Sequence, residues 1–338
     1  MTPWWDYLSL LTSAATIREI LFARARTGIR LAPLTLLSMQ TQTLKTNRRD
    51  FLQRAGLGLG ALGFAAQAVL AAEKPAASFA RPSKIRLGTV TYNLAKDWDI
   101  PTIIKNCEEA KFEGIELRTT HAHGVEVTLS KAQRDEVKQR FRDSNVELMG
   151  LGSVFDYHTP DQTKLRKDME ATKEYIVLAH DVGAPGVKVR PNAIPREVPA
   201  EKTLEQIGKS LRELGEFGDG YGVQIRLEVH GPETSLLPNI KTIMDAAGHR
   251  NVGVCWNSNQ TDLVGEGFDH NFNLVKDKIF TVHMRDLYLD EYPFRKLLTG
   301  LNEIGFTGFC LAEIPESNDA VRVMKYFRGL FLAYQNLL

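Results

Sequence analysis

The sequence predicts one closed (β/α)8 barrel over residues 83–338, and three observations carry that prediction. Eight short apolar runs alternate with longer segments of helical period. The stretch of 256 residues has the length such a barrel needs, and polar residues recur where the later runs end. An open doubly wound sheet is the competing fold, but no run is followed by a glycine-rich phosphate turn of the dinucleotide type. With 43% hydrophobic residues, the chain has ample material for one large core.

In chain order, the strand candidates are Ile85 to Tyr92, Gly114 to Arg118, Val146 to Gly152, Gly186 to Arg190, Gln224 to His230, Val252 to Asn257, Ile279 to Arg285 and Gly308 to Ile314. Between them Ser130 opens a helix carrying Val137 and Phe141, and Leu204, Ile207, Leu211 and Leu214 recur at helical spacing on one face. The segment "DLYLDEYPFRKLL" after the seventh run gathers Tyr288, Tyr292 and Phe294 in a loop, which reads as a lid or a subunit contact. A last helix from about Asp319 to Leu338 carries Val323, Phe327, Leu330, Phe331 and Tyr334 and caps the barrel.

The first 82 residues differ in kind. They hold ten Lys/Arg and four Asp/Glu, so the total of +1 divides into a basic leader and a barrel of net charge −5. An acidic barrel gives no electrostatic footprint for phosphate backbones, which argues against nucleic acid as a partner. In "TNRRDFLQRAGLGLGALGFAAQAVLAA" the paired Arg48 and Arg49 precede a Gly/Ala-rich apolar stretch, Ala55 to Ala72, which is too short and glycine-rich for a good membrane span. This resembles a twin-arginine export signal. The expected organisation is a non-native or leader extension over 1–38, the signal over 39–72 with Met39 as its start, and a linker over 73–82. The expected location is periplasmic, reached in the folded state through the twin-arginine export machinery. Cys107, Cys255 and Cys310 are odd in number, widely spaced and set in apolar segments, so they read as buried thiols rather than a disulfide framework or zinc cluster.

Parity along the strands picks out the inward-facing residues. In Gln224 to His230 the apolar Ile225, Leu227 and Val229 alternate with Gln224, Arg226, Glu228 and His230. The helices offer only an apolar surface, so the polar set points into the barrel. The same alternation turns Lys188 and Arg190, Glu116 and Arg118, and His283 and Arg285 inward. So many interior ionisable groups are costly unless they pair with one another or bind a ligand or a metal. Glu228, Asn257, His283 and Glu313 stand where four C-terminal strands run out. In a closed parallel barrel those ends share one rim and can converge on a divalent metal and a sugar-sized substrate.

The runs "GIELR", "LEVHG", "CWNSN", "VHMRD" and "GFCLAEIP" fall in order at the second, fifth, sixth, seventh and eighth strands. With them the chain, over roughly Ile85 to Leu338, resembles the xylose isomerase-like TIM barrel superfamily, the sugar phosphate isomerase/epimerase group that also includes endonuclease IV. The resemblance implies that Glu228, Asn257, His283 and Glu313 bind one divalent cation, with Mn, Mg or Co expected and Zn admissible, and that Glu228 and Glu313 form the base and acid pair. The family commonly has aspartate where this chain has Asn257, and losing that charge weakens metal affinity. An oxygen-rich set with one imidazole independently suits a hard or borderline ion. His230 and Arg285 share strand faces with metal ligands and, with Lys188 and Glu116, are placed to hold substrate hydroxyls or a developing oxyanion.

The expected activity is sugar isomerisation or epimerisation by proton removal next to a carbonyl, through an enediolate. Export favours a free or glycosidic keto-sugar over a sugar phosphate. Two alternatives stand beside this: a lyase or hydrolase acting on 3-keto-glycosides with the same residues, and a non-catalytic sugar-binding barrel, which Asn257 favours. Endonuclease activity is disfavoured by the few histidines at strand ends, the acidic barrel and the export signal. Homo-oligomers are common in the family, and nothing in the sequence fixes a number.

Overall fold

Runs rich in Val, Ile and Leu, each ended by glycine, proline or a polar turn, become eight strands in the computed structural model, which describes residues 83–338. The strands are β1 (Arg86–Val90), β2 (Gly114–Arg118), β3 (Glu147–Asp156), β4 (Gly186–Arg190), β5 (Gln224–Glu228), β6 (Val252–Asn257), β7 (Ile279–Met284) and β8 (Phe309–Ala312). All pairs are parallel, in chain order, and β8 closes on β1, giving the predicted (β/α)8 barrel. β2, β4 and β6 have their expected bounds. β3 runs on to Asp156, which still pairs with Arg190 of β4 after the register shifts between Gly152 and Asp156.

Among the described residues eight α-helices cover the outside: α1 (Ile100–Ala110), α2 (Lys131–Arg142), α3 (Gln162–Val182), α4 (Ala200–Asp219), α5 (Leu237–Ala247), α6 (Gly267–Val275), α7 (Phe294–Glu303) and α8 (Ala320–Tyr334). Local chemistry sets their ends. Ser130 and Gln133 form a capping box before α2, Asp99 and Asp161 cap α1 and α3, and Gly183 ends α3 in the left-handed region at φ 85°. α4 buries Leu204, Ile207, Leu211 and Leu214 as its period requires, against strand residues such as Ile225, Leu227 and Val252 that are also fully buried. Full burial of each such side chain contributes about 1.5–3 kcal/mol.

The interior of the barrel is tighter. Inward-facing Gly186 and Gly152 leave room for long charged neighbours: a Cβ at Gly186 would meet the Arg226 guanidinium at 2.4 Å, and one at Gly152 would meet Glu116 Oε1 at 2.8 Å.

One expectation is corrected here. Tyr292 and Phe294 are not aromatic surface in a lid: they are 3% and 1% exposed, and Phe294 begins α7. The Trp256 indole N–H donates to the Tyr292 hydroxyl at 2.9 Å, and that hydroxyl donates to Asp262 Oδ2 at 2.6 Å, so the loop is pinned beneath its neighbours. Tyr288 is exposed. All three cysteines are buried and free, and burial pushes the Cys107 thiol up to about 12. The segments read as leader, export signal and linker lie outside the described residues. Among the described residues no helix is long and apolar enough to cross a membrane.

Candidate active site

Each predicted site residue reaches the same cavity, of about 390 Å³, at the carboxyl end of the strands. That volume lies at the small end of the usual range for ligand clefts, roughly 300–1,000 Å³. A larger depression of about 780 Å³, lined by Glu113, Lys138, Phe141 and Val146, lacks the inward-facing acid and imidazole cluster.

Glu228, at the end of β5, is 3% exposed and has both oxygens engaged. The Lys188 ammonium donates to Oε2 at 2.7 Å, and Asn257 Nδ2 donates to Oε1 at 3.2 Å. Burial alone would raise the pKa of Glu228, but Lys188, and then His283, hold it well below the usual carboxylate range. Lys188 is also buried. Burial would lower its pKa, yet the charges of Glu228 and Glu116 keep it raised.

His283 stands at the centre of the group. Its Nδ1 is 3.8 Å from Glu228 Oε1 and 3.8 Å from Glu313 Oε2, while Nε2 lies 3.4 Å from Glu116 Oε1. Burial opposes charge on this imidazole, but the Cys255 sulfur and the Glu116 carboxylate raise its pKa well above the ordinary value. Glu313 behaves oppositely to Glu228. Burial pushes its carboxyl up, with His283 pulling against that shift.

Donor atoms of Glu228, His283 and Glu313 all lie within 4.8 Å of one another. Neither ring nitrogen of His283 makes a hydrogen bond, although the side chain is 1% exposed, and Glu116 Oε2 also lacks a partner. Buried polar atoms left in this way point to a missing cation or ligand. Carboxylates, one imidazole and the amide oxygen that Asn257 presents when its amide turns over suit a hard or borderline divalent ion, so the residues fit the group that the fold implies.

The remaining predicted residues separate by position. His230 Nδ1 bonds Asn192 Oδ1 at 3.0 Å, and Arg285 Nε donates to the Ser258 carbonyl at 2.8 Å. Glu116 is 2% exposed and sits against His283, so it is well placed to orient that ring. Sequence reasoning missed Tyr92, Asn259, Arg118 and Arg190 as lining residues, although the inward parity of both arginines was already legible.

A family model described as "Xylose isomerase-like TIM barrel" matches residues 104–330, and the chain belongs to that family. The chain is 22% identical over 243 residues to the inosose isomerase of Bacillus velezensis, covering 66% of this chain and 83% of that one. Among solved structures it resembles the IolI protein with a bound zinc atom, with a TM-score of 0.62 and 18% identity, covering 74% of this chain and 98% of that one. It also resembles 3-keto-D-glucoside 4-epimerase from E. coli, with a TM-score of 0.61 and 14% identity, covering 75% and 99%.

Proposed function

We propose that this protein is a divalent-metal-dependent isomerase or epimerase of a keto-sugar, working by proton abstraction beside a carbonyl. The observation that carries this reading is the convergence of Glu228, Glu313 and His283 in one cavity, both acids 3.8 Å from His283 Nδ1 and the donor atoms of all three within 4.8 Å of one another. Relatives named as an inosose isomerase and a keto-glucoside epimerase support it.

Glu228, kept ionised by Lys188, accepts the proton from the carbon beside the carbonyl. Glu313, on the other side of His283, returns a proton to the enediolate from its own side. Glu228, Asn257, His283 and Glu313 would hold the ion, which when bound polarises the carbonyl oxygen and makes the enediolate accessible. Lys188, His230 and Arg285 border the reacting carbons and hold hydroxyl groups or the developing oxyanion.

The test is incubation in heavy water with a panel of ketoses and 3-keto-glycosides. Deuterium entering a carbon-bound position, with ketose interconversion, is the expected result. Release of an aglycone without interconversion would assign the residues to lyase chemistry. Sugar binding without any exchange would reduce the protein to a binding barrel.

A further inference from the structure

The cavity carries more fixed positive charge than its acids balance. Four permanent cations, Arg118, Lys188, Arg190 and Arg285, face three carboxylates, Glu116, Glu228 and Glu313. Lys188 is paired with Glu228, whereas the three arginines make no ion pair among the described residues.

Arg118 and Arg190 stand at the ends of β2 and β4, with β3 between them. Gly152 on β3 is the Cα neighbour of both Arg118 and Lys188 and puts no side chain in the gap. Each guanidinium is fixed by a neutral anchor that leaves other N–H groups free. Arg118 Nη1 donates to His121 Nε2 at 3.3 Å, and its Cζ lies 5.1 Å from the centroid of the Tyr92 ring. His121 is pushed down to about 4 by burial and then by Arg118, so it is neutral and accepts that bond. Arg190 Nη2 donates to the Val154 carbonyl at 3.1 Å, while its buried Nε has no partner. An orphaned buried donor costs about 1–3 kcal/mol unless a ligand takes it up. Guanidinium groups held in place bind carboxylates and phosphates in a planar, two-pronged way.

We propose that Arg118 and Arg190 form an anion subsite, so that the substrate is an acidic keto-sugar with a carboxylate or phosphate at its end. This rests on the keto-sugar reading above. The sugar spans the mouth, its reacting carbons over Glu228 and Glu313 and its anionic end on the β2 and β4 side. The export signal proposed for Arg48 and Arg49 favours a carboxylate, because phosphate esters are scarce outside the cytoplasm.

The experiment pairs each 2-ketohexose with its terminal carboxylate and its 6-phosphate, and measures binding by calorimetry separately from deuterium exchange. The acidic member of a pair binds at least roughly tenfold more tightly than the neutral one, and added salt narrows that ratio. Arg118→Gln and Arg190→Gln each shrink the ratio about tenfold while the thermal midpoint shows the barrel intact. A stronger phosphate than carboxylate would keep the anion subsite and assign it to phosphate esters. Neutral and acidic sugars binding alike, or a ratio unmoved by salt and by both variants, would overturn the subsite while leaving the isomerase reading intact. Arginine-dependent acid binding without exchange would do the reverse.

Discussion

The lower interior of the barrel, around Arg226, and the upper interior, around His283, both bury ionisable side chains, but the charged group of the lower layer is bonded and several of those in the upper layer are open. Arg226 is 4% exposed and is satisfied by neighbours: Nη1 donates to the Met149 carbonyl at 2.7 Å, and Nη2 and Nε donate to Gln224 Oε1 at 2.9 and 3.2 Å. Nearer the carboxyl ends of the strands, His283, Glu116, Arg190 and Arg285 each retain a buried polar atom without a partner. Buried charge alone therefore does not mark a working site. Buried charge with unmet bonding capacity does, because it is stable only when something else completes it.

The largest effect that tests this contrast is on turnover. Glu228→Gln should lower solvent exchange into substrate by about 10²–10⁴-fold with the fold kept, as read by exchange rate and circular dichroism. Undiminished exchange would make the upper layer as structural as the lower. Arg226→Ala should instead act on stability, costing about 2–4 kcal/mol in urea unfolding, with exchange per folded molecule unchanged. Loss of exchange at full stability would erase the distinction.

A smaller effect concerns the ion. Asn257→Asp restores a carboxylate at the rim and should tighten divalent metal binding about tenfold, measured by competition with a chromogenic chelator. Equal affinity would remove residue 257 from the ligand set.

The last effect is a pH slope from Asp262, a group behind the cavity wall that accepts from the Asn259 backbone N–H. Burial raises the Asp262 carboxyl to about 8, so the folded state holds a proton that the unfolded chain releases near its ordinary value. Folded stability from this group is therefore present at low pH and declines as pH climbs toward 8, by at most about 1.4 kcal/mol per pH unit. Asp262→Asn should flatten that part of the curve in urea melts at pH 5, 6.5 and 8. An unchanged slope would place the loss elsewhere.

The fold was legible because period-2 and period-3.6 patterns are local: β2, β4 and β6 emerged with their observed bounds, and parity turned Glu228, Lys188 and His283 inward. What escaped was contact across the cylinder. Glu116 on β2 meets His283 on β7, a pairing that no local repeat encodes. Tyr292 was read as surface because a loop has no period to reveal that it folds under Trp256 and Phe268. Arg118 and Arg190 had the right parity but lay outside the strand-end quartet, so only the shared cavity picked them out.

The absent side chain at Gly152 also bears on descent. An alanine Cβ there would lie 2.8 Å from Glu116 Oε1, so the Glu116 carboxylate would have to shift away from its place beside His283. Positions 116 and 152 are thereby coupled, and a side chain at 152 is expected to be best tolerated where residue 116 is shorter.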